Sequence, residues 1–542
     1  MESTSTPNTS TSSGVVSRIN KKTDSNEHTD LTNCISYGTG IVESADDEIL
    51  RQQGHDAVLE RSTFNIWAAL GLAFSVTGSW VGYLSCFGQN LLYGGPQTVV
   101  FALLVATFVQ IFITLGLSEL ASCFPSTGGQ YHYVYLVAPR RFRQPLAFFT
   151  GWFSVLGWWI VTCSGHLLVA VSISGLAQFY HTTYVSERWH VYLLYLATAF
   201  VTSAPVFLCP KKIGWFTQSC LYLSISGCLV VLIMALAMHQ QWYPSERLLR
   251  SDLGTSGWSS SWAWVLAIGN SMYAYVGTDA ASHVAEEMPH PNKRVPSIMN
   301  GSIIIGFFTV FPLFLALMYG MTDMDAVTSS ALPSLEIFHQ VTGSKIAAGF
   351  MQAWVLIVYI NSLNAQWVTS GRIVWALARD GGVPFAKYFS HVDEKRVFPL
   401  RSTLLAGAFI CIYGVIYLAS TNAFNSIVTS AVLYLNMSYT IPQAVVVCRG
   451  RKILPNCYMS LGPIVGYFCN IFSIVAVLAL IVIYSFPATN PTTLGSMNYS
   501  SVVLVGLSAI LTGLWLGIGK NFQGPGADLE SMVMFAHDGS EA

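Results

Sequence analysis

Apolar runs of about twenty residues recur some dozen times along this chain, and that recurrence dictates the solvent it folds in. Only 10% of the 542 residues are charged and 53% are hydrophobic. A soluble domain carries roughly 25% charged residues, so a water-facing surface for this chain could not be covered. The sequence therefore reads as an all-α polytopic membrane protein. The first 61 residues stand apart: they are rich in Ser, Thr, Asn, Asp and Glu and nearly free of aromatics, the composition of a disordered soluble tail. They hold no apolar signal-peptide core, so the first span must direct insertion.

Length and apolarity place about twelve helical spans near residues 63–92, 99–121, 146–178, 191–208, 213–238, 262–285, 300–321, 346–378, 402–419, 424–447, 461–486 and 499–518. This gives a permease body over 62–519 and a C-terminal tail over 520–542. The loops test the count. With the N-terminus inside, the inner loops hold Arg140, Arg141, Arg143, Lys211, Lys212, Lys293 and Arg294. They also hold Arg379, Lys387, Lys395, Arg396, Arg401, Arg449, Arg451 and Lys452, against only Arg188, Arg247, Arg250 and Lys345 outside. One miscounted span would reverse every later loop, so the alternation supports an even number with both termini cytoplasmic. Asn498 opens an outer-side sequon and is the glycosylation candidate; the sequons at Asn8, Asn300 and Asn436 are discounted by position. The eleven cysteines form no CxxC or Cys/His cluster, so neither a metal site nor a disulfide framework is expected. No cofactor is implied, and without a basic stripe nucleic acid is not a partner.

The first span weakens itself at its centre, where "SVTGSWVG" places Ser75, Thr77, Gly78, Ser79 and Gly82. Bare peptide groups in hydrocarbon cost several kcal/mol, so irregular backbone at this depth must line a cavity or face protein. A break would turn the amides and the positive dipole end of a half-helix toward a solute carboxylate. Small residues packing against a neighbouring helix explain the same stretch. The sixth span is also interrupted, by Gly269, Asn270, Ser271 and Gly277, with Asp279 just beyond. Interruptions at matching places in two halves point to a transporter site, and an intramembrane carboxylate points to function. Five spans separate each interruption from its repeat, which suits a five-plus-five inverted repeat followed by two C-terminal helices.

The eighth span carries a polar stripe of Asn361, Ser362, Asn364, Gln366, Thr369, Ser370 and Arg372. Asn361 and Asn364 share one helical face; Gln366, Thr369 and Ser370 share another. Arg372 is expected to snorkel to the cytoplasmic interface. Trp158 and Trp159 read as core or interfacial aromatics, and His166 as a satisfied core histidine.

At these residues the sequence resembles the amino acid–polyamine–organocation (APC) superfamily, and within it the amino acid/choline transporter family of fungal GABA and choline permeases. The resemblance spans about 60–519. It is carried by "LGLAFSVTGSW", "SELASCFPSTGGQYHYV", "GWFSVLGWW", "YVGTDAASHVAEEMPHPNKRVP" and "WALARDGGVPFAKYFSHV". It implies a LeuT-like fold with alternating access. It places Thr77, Gly78 and Ser79 at the break that receives a substrate carboxylate. Tyr273, Ala274, Tyr275 and Gly277 fall at the break that meets the amine, and Asp279 where relatives often carry an acidic group, here the ion-coupling candidate. Trp80, Tyr273 and Tyr275 offer aromatic faces to an ammonium, with Asn361 and Asn364 as further substrate-binding candidates. Glu119, Glu286, Glu287 and Arg379 are gate or structural candidates; Glu119 is expected to pair with a basic loop residue and Glu286 or Glu287 with Arg379 or Lys293. The sequence departs from the wider pattern twice. Trp80 and Val81 replace part of the first-span glycine run. The fifth span has Gln218 and Ser219 but no lysine in its body, so the coupling mechanism does not carry over.

The expected function is a secondary transporter of a small amine-bearing solute, an amino acid such as GABA first, with choline, another quaternary ammonium or a polyamine as the alternative. No GxxxxGK[ST] stretch binds nucleotide, so a gradient must drive it, proton ahead of sodium. A major-facilitator carrier would show a long central loop and a GxxxDR motif after the second span, and neither is present. An enzyme would need a catalytic cluster, and the histidines are dispersed. The plasma membrane is the expected location, ahead of the vacuolar membrane.

Overall fold

The computed structural model describes residues 64–525, except 182, 251, 394 and 494–496 and the side chains of 421–429. The readings made for residues 1–61, Asn8 among them, and for 526–542 lie outside the described residues. Regular structure among the described residues is helical, apart from an isolated bridge between Asp393 and Phe398.

Among the described residues, eleven helices are long and apolar enough to span a membrane. The sixth apolar segment is not among them, because its helix is broken. Its helix, Ser260–Ser271, stops after 12 residues and gives way to 3-10 turns at Met272–Tyr275 and Ser282–Glu287. Val276 is extended and Gly277 takes φ +77°, a left-handed value no other residue type adopts cheaply, so the helical ladder cannot pass. With this segment the chain makes twelve passes.

The first span is α1 (Ile66–Thr77) and α2 (Ser79–Gly94), joined through Gly78 at φ 42°, ψ 41°. Asn65 caps α1 by accepting from the Ala68 amide at 2.8 Å. The interruption is narrower than an unwound loop. Gly78 N–H still donates to Phe74 O and Gly82 N–H to Gly78 O, both at 2.7 Å. Only the Ser79, Trp80 and Val81 amides find no backbone acceptor across the break, as the first turn of a new helix requires.

The second span is α3 (Pro96–Cys123), followed by a short helix α4 (Gln130–Val137). The third, α5 (Arg143–Tyr180), is the longest at 38 residues and runs through the middle of the bundle. Then come α6 (Arg188–Leu208), α7 (Ile213–Ala237), the broken sixth segment, α8 (Pro291–Gly320) and α9 (Lys345–Arg379). The last four spans are α10 (Leu400–Ala419), α11 (Thr421–Arg449), α12 (Gly462–Ile483) and α13 (Ser500–Ile518). Burial ranks them. The first span is 83% buried over its most apolar stretch and α13 only 11%, so the first span lies inside and the last helix is the most exposed of the spans. A side chain at Gly71 would meet Thr217 O at 2.4 Å, and Thr217 Oγ1 donates to Ala68 O at 3.0 Å. Backbone-to-backbone packing of α1 on α7 thus accounts for part of the small residues in the first span, alongside the break.

Buried ion pairs gather at the end that carries the basic loops. Arg372 grips Glu287 through Nε and Nη2, Arg379 holds both oxygens of Glu286 (3.0 and 3.2 Å), and Arg451 reaches Glu119 at 2.5 Å. Arg372 does not snorkel: its side chain is 2% exposed, because its carboxylate partner lies inside the bundle. Two sulfurs expected to be plain core atoms are bonded: Cys123, at the end of α3, lies 2.08 Å from Cys457 before α12. A separation of 334 residues hides that pair from sequence inspection. Residues 520–525, the described start of the C-terminal tail, pack on the body. Phe522 is fully buried beside Tyr131 and Phe148, and the Gln523 amide donates to Asp380 O at 3.0 Å.

Candidate functional site

Between the two breaks lies a cavity of about 20 Å³, room for one water. Thr77, Gly78 and Gly82 border it from the first span, Gly165 from α5, Tyr273 and Val276 from the sixth segment. On the side away from the basic loops a vestibule of about 540 Å³ opens, bordered by Ser85, Cys86, Gln89, Asn270 and Tyr484 among others. Leu168 and Tyr273 line both spaces, and Tyr273 OH lies 2.8 Å from Ser164 Oγ. One ring and one hydroxyl pair therefore part cavity from vestibule, while the basic end is shut by several layers of buried pairs. No charged side chain lines either space among the described residues.

The hydroxyls around the cavity are already engaged. Ser75 donates to Gly71 O, Thr77 to Ala73 O, Ser362 to Tyr359 O and Tyr359 to Val81 O. What remains is Gln366, whose Oε1 is buried without a hydrogen-bond partner. A side chain at Gly165 would come within 2.5 Å of that oxygen. An unmet buried acceptor costs about 1–3 kcal/mol, and a single water in the cavity could meet this one.

The structure brings some expected residues to this cavity and takes others elsewhere. Thr77, Gly78 and Tyr273 line it. Ser79 Oγ points at Gly306 of α8, and Trp80 Nε1 donates to Ser224 Oγ on α7 at 3.0 Å. Ala274 is fully buried in packing, and Tyr275 OH pairs with Thr107 Oγ1 on α3 at 2.7 Å. Gly277 packs on Val76 and Trp158. Asn361 and Asn364 turn away, their amides donating to Ile357 O (2.9 Å) and Asn361 O (3.2 Å) of their own helix. The cavity face of α9 is instead Tyr359, Ser362 and Gln366, at spacing i, i+3, i+7. Asn361 and Asn364 lie at a different phase of the helix from this face, which Gln366 marks in the sequence.

Asp279 is fully buried below the cavity and accepts from four elements. Gln130 Nε2 lies at 2.6 Å, Trp158 Nε1 at 3.2 Å and Tyr439 OH at 2.5 Å, with His283 Nε2 2.9 Å away. His283 and Gln130, which close this network, were missed because neither breaks an apolar run conspicuously. Glu119 pairs with loop residue Arg451, and Glu286 with Arg379. His166 is a buried core residue, set between Thr162 O (2.7 Å) and Thr202 Oγ1 (3.3 Å). Gln218 and Ser219 bond within their own helix on its outer side, away from the break. Asn498 is a poor glycan acceptor in the folded chain, since its Nδ2 already donates to Tyr484 O and Phe486 O, both at 2.8 Å.

Two interrupted helices set side by side inside a twelve-pass bundle, with a small cavity between them closed by one ring on one side and by ion pairs on the other, define a membrane transporter. Residues 64–508 match the amino acid permease family model, and the chain belongs to that family. It is 30% identical to a choline transporter of Saccharomyces cerevisiae, over 85% of this chain and 82% of that one. A polyamine transporter of the same yeast is 26% identical, over 90% and 80% of the two chains. Among solved structures a manganese transporter of Eremococcus coleocola matches with a TM-score of 0.50 at 11% identity, over 91% of this chain and 97% of that one; this shows the LeuT-like fold alone.

Proposed function

We propose that the protein is a secondary transporter that carries a small amine-bearing solute, an amino acid such as GABA first, by alternating access together with a proton. The observation that carries this reading is a cavity with no charged lining, bordered both by Val81, whose amide is unbonded in the first turn after the Gly78 break, and by one orphaned acceptor, Gln366 Oε1. A neutral site suits a net-neutral ligand that brings both signs with it. The cavity as closed holds one water, so the Tyr273 ring must swing aside to join it to the vestibule before solute enters; the solute carboxylate then meets the first turn of α2 at Val81, and its ammonium meets Gln366 and the face of Tyr273. A polyamine, with several positive charges and no carboxylate, finds no counter-charge here. The basic-loop end is taken as cytoplasmic. A gradient of 100 mV then contributes about 2.3 kcal/mol per charge moved. The plasma membrane is the proposed location.

Substrate competition against a labelled amino acid in proteoliposomes tests the reading. Gln366→Leu removes one hydrogen bond to a charged group, so the amino acid KM should rise roughly ten- to a hundredfold. Similarity to a choline transporter favours choline as the second reading. Its quaternary nitrogen has no N–H to give Gln366 and only its hydroxyl can donate, a neutral hydrogen bond, so the same variant should raise the choline KM about tenfold at most. Choline uptake that is robust in both proteins, with no amino acid competing, would replace the first reading by the second.

The open vestibule makes a separate prediction. Cys86 lines it as a free thiol. A membrane-impermeant thiol reagent added on the vestibule side should abolish most uptake, and Cys86→Ser should be resistant. Equal inhibition of both proteins would mean that the vestibule is closed to water.

A further inference from the structure

We infer that the coupling proton is held jointly by His283 and Asp279, with His283 as the second half of the site, an inference that rests on the proton-symport reading above. The argument is one of hydrogen-bond sign. His283 Nδ1 lies 3.0 Å from the Thr127 carbonyl, which can only accept. Nδ1 therefore carries a hydrogen. The other ring nitrogen, Nε2, lies 2.9 Å from Asp279 Oδ2, and both residues are fully buried. With Nδ1 protonated, a bare Nε2 would set its lone pair against a carboxylate lone pair. The contact is attractive only when one further proton lies between Nε2 and Oδ2, on either atom. The pair then holds two protons and is net neutral; removing the shared one leaves a net charge of −1 and two acceptors in opposition.

The groups facing the pair supply no compensating charge. Tyr439 from α11, Gln130 from α4 and Trp158 from α5 donate to Asp279, and Tyr133 of α4 stands nearby. Glu286, bonded to the Thr127 amide at 3.2 Å, is already matched by Arg379. No lysine or arginine pairs with Asp279 among the described residues. The charge of the pair is therefore set by its shared proton.

That charge is wired to both halves of the transport cycle. Trp158 donates to Asp279 and packs against the break of the sixth segment, 3.1 Å from where a side chain at Gly277 would begin, so it ties the pair to that break. On the other side, Thr127 joins the pair to the loop before α4 and to Glu286 of the ion pairs that shut the basic end. The neutral, protonated pair lets the loaded carrier exchange sides; once the basic end has opened, loss of the shared proton to water there leaves His283 and Asp279 in opposition, and a proton is regained from vestibule water after the return. Each cycle takes one proton from one side and returns one to the other.

The test compares wild type with His283→Gln, which cannot titrate. In lightly buffered proteoliposomes, wild type should move about one proton per solute and accumulate solute against a gradient. His283→Gln should retain solute counterflow, which needs no net proton movement, while proton movement and accumulation fall to background. Unchanged proton-to-solute ratio in the variant would overturn the inference. So would counterflow and accumulation falling in parallel, which marks a structural role. Wild type that exchanges solute but moves no proton overturns the inference and leaves the transporter reading standing. Should wild type carry no tested solute, infrared difference spectra decide: titrating the medium should change the protonation of a buried carboxyl in wild type, absent in Asp279→Asn and altered in His283→Gln. No such carboxyl signal would equally overturn it.

Discussion

Glu287→Gln is expected to destabilise the folded transporter by about 3–5 kcal/mol, the range for removing one partner of a buried ion pair. The guanidinium of Arg372 is left behind with its side chain 2% exposed. It cannot reach water, and its Nη1 already lacks a hydrogen-bond partner. The rings of Phe64 and Phe398, at 5.8 and 5.5 Å, offer only weak cation–π support. Thermal melting in detergent should fall by on the order of 10 °C. Glu287→Leu combined with Arg372→Met should recover most of the loss, since removing both charges also removes the cost of burying them. A Glu287→Gln protein that melts with wild type would show that this pair is solvated or open in the membrane-embedded protein.

Asp279→Asn carries the second large effect, on coupling. Neutralising the carboxylate removes a desolvation cost together with the charge-assisted part of four hydrogen bonds, so the two changes oppose each other and melting should move little. Accumulation should not survive. At 100 mV a co-transported proton supports a concentration ratio of roughly fiftyfold. The variant, fixed in the equivalent of the protonated state, should equilibrate solute without concentrating it and lose its dependence on external pH. Uptake by Asp279→Asn that still concentrates solute and still follows pH would remove the carboxylate from the coupling site.

Much of the architecture was legible in the residues because a bilayer punishes exceptions. Every uncharged run long enough to cross became a crossing segment, with ends within a few residues of the reading for most spans. The two weak places also surfaced early, since Gly78 and Gly277 sit where regular helix would otherwise be the cheapest backbone in hydrocarbon. The site was legible only in part. That α9 should present polar groups to the centre followed from its composition. Which polar groups did so depended on the rotation of the helix about its axis, and packing against α5 and the first span sets that rotation. Ser79, Trp80 and Tyr275 belong to the right segments, yet they face α8, α7 and α3.

What the sequence determined by itself is the membrane solvent, the approximate number of crossing segments and the two places where helix is weakest, because each depends on local composition and on backbone groups that lipid cannot satisfy. Only the tertiary structure decided the rest: Arg372 on Glu287, Cys123 beside Cys457, Gln366 left open toward the cavity, and His283 set between Thr127 and Asp279. These depend on distances between residues far apart in the chain, fixed when the helices close on one another, and no spacing within a single helix encodes them.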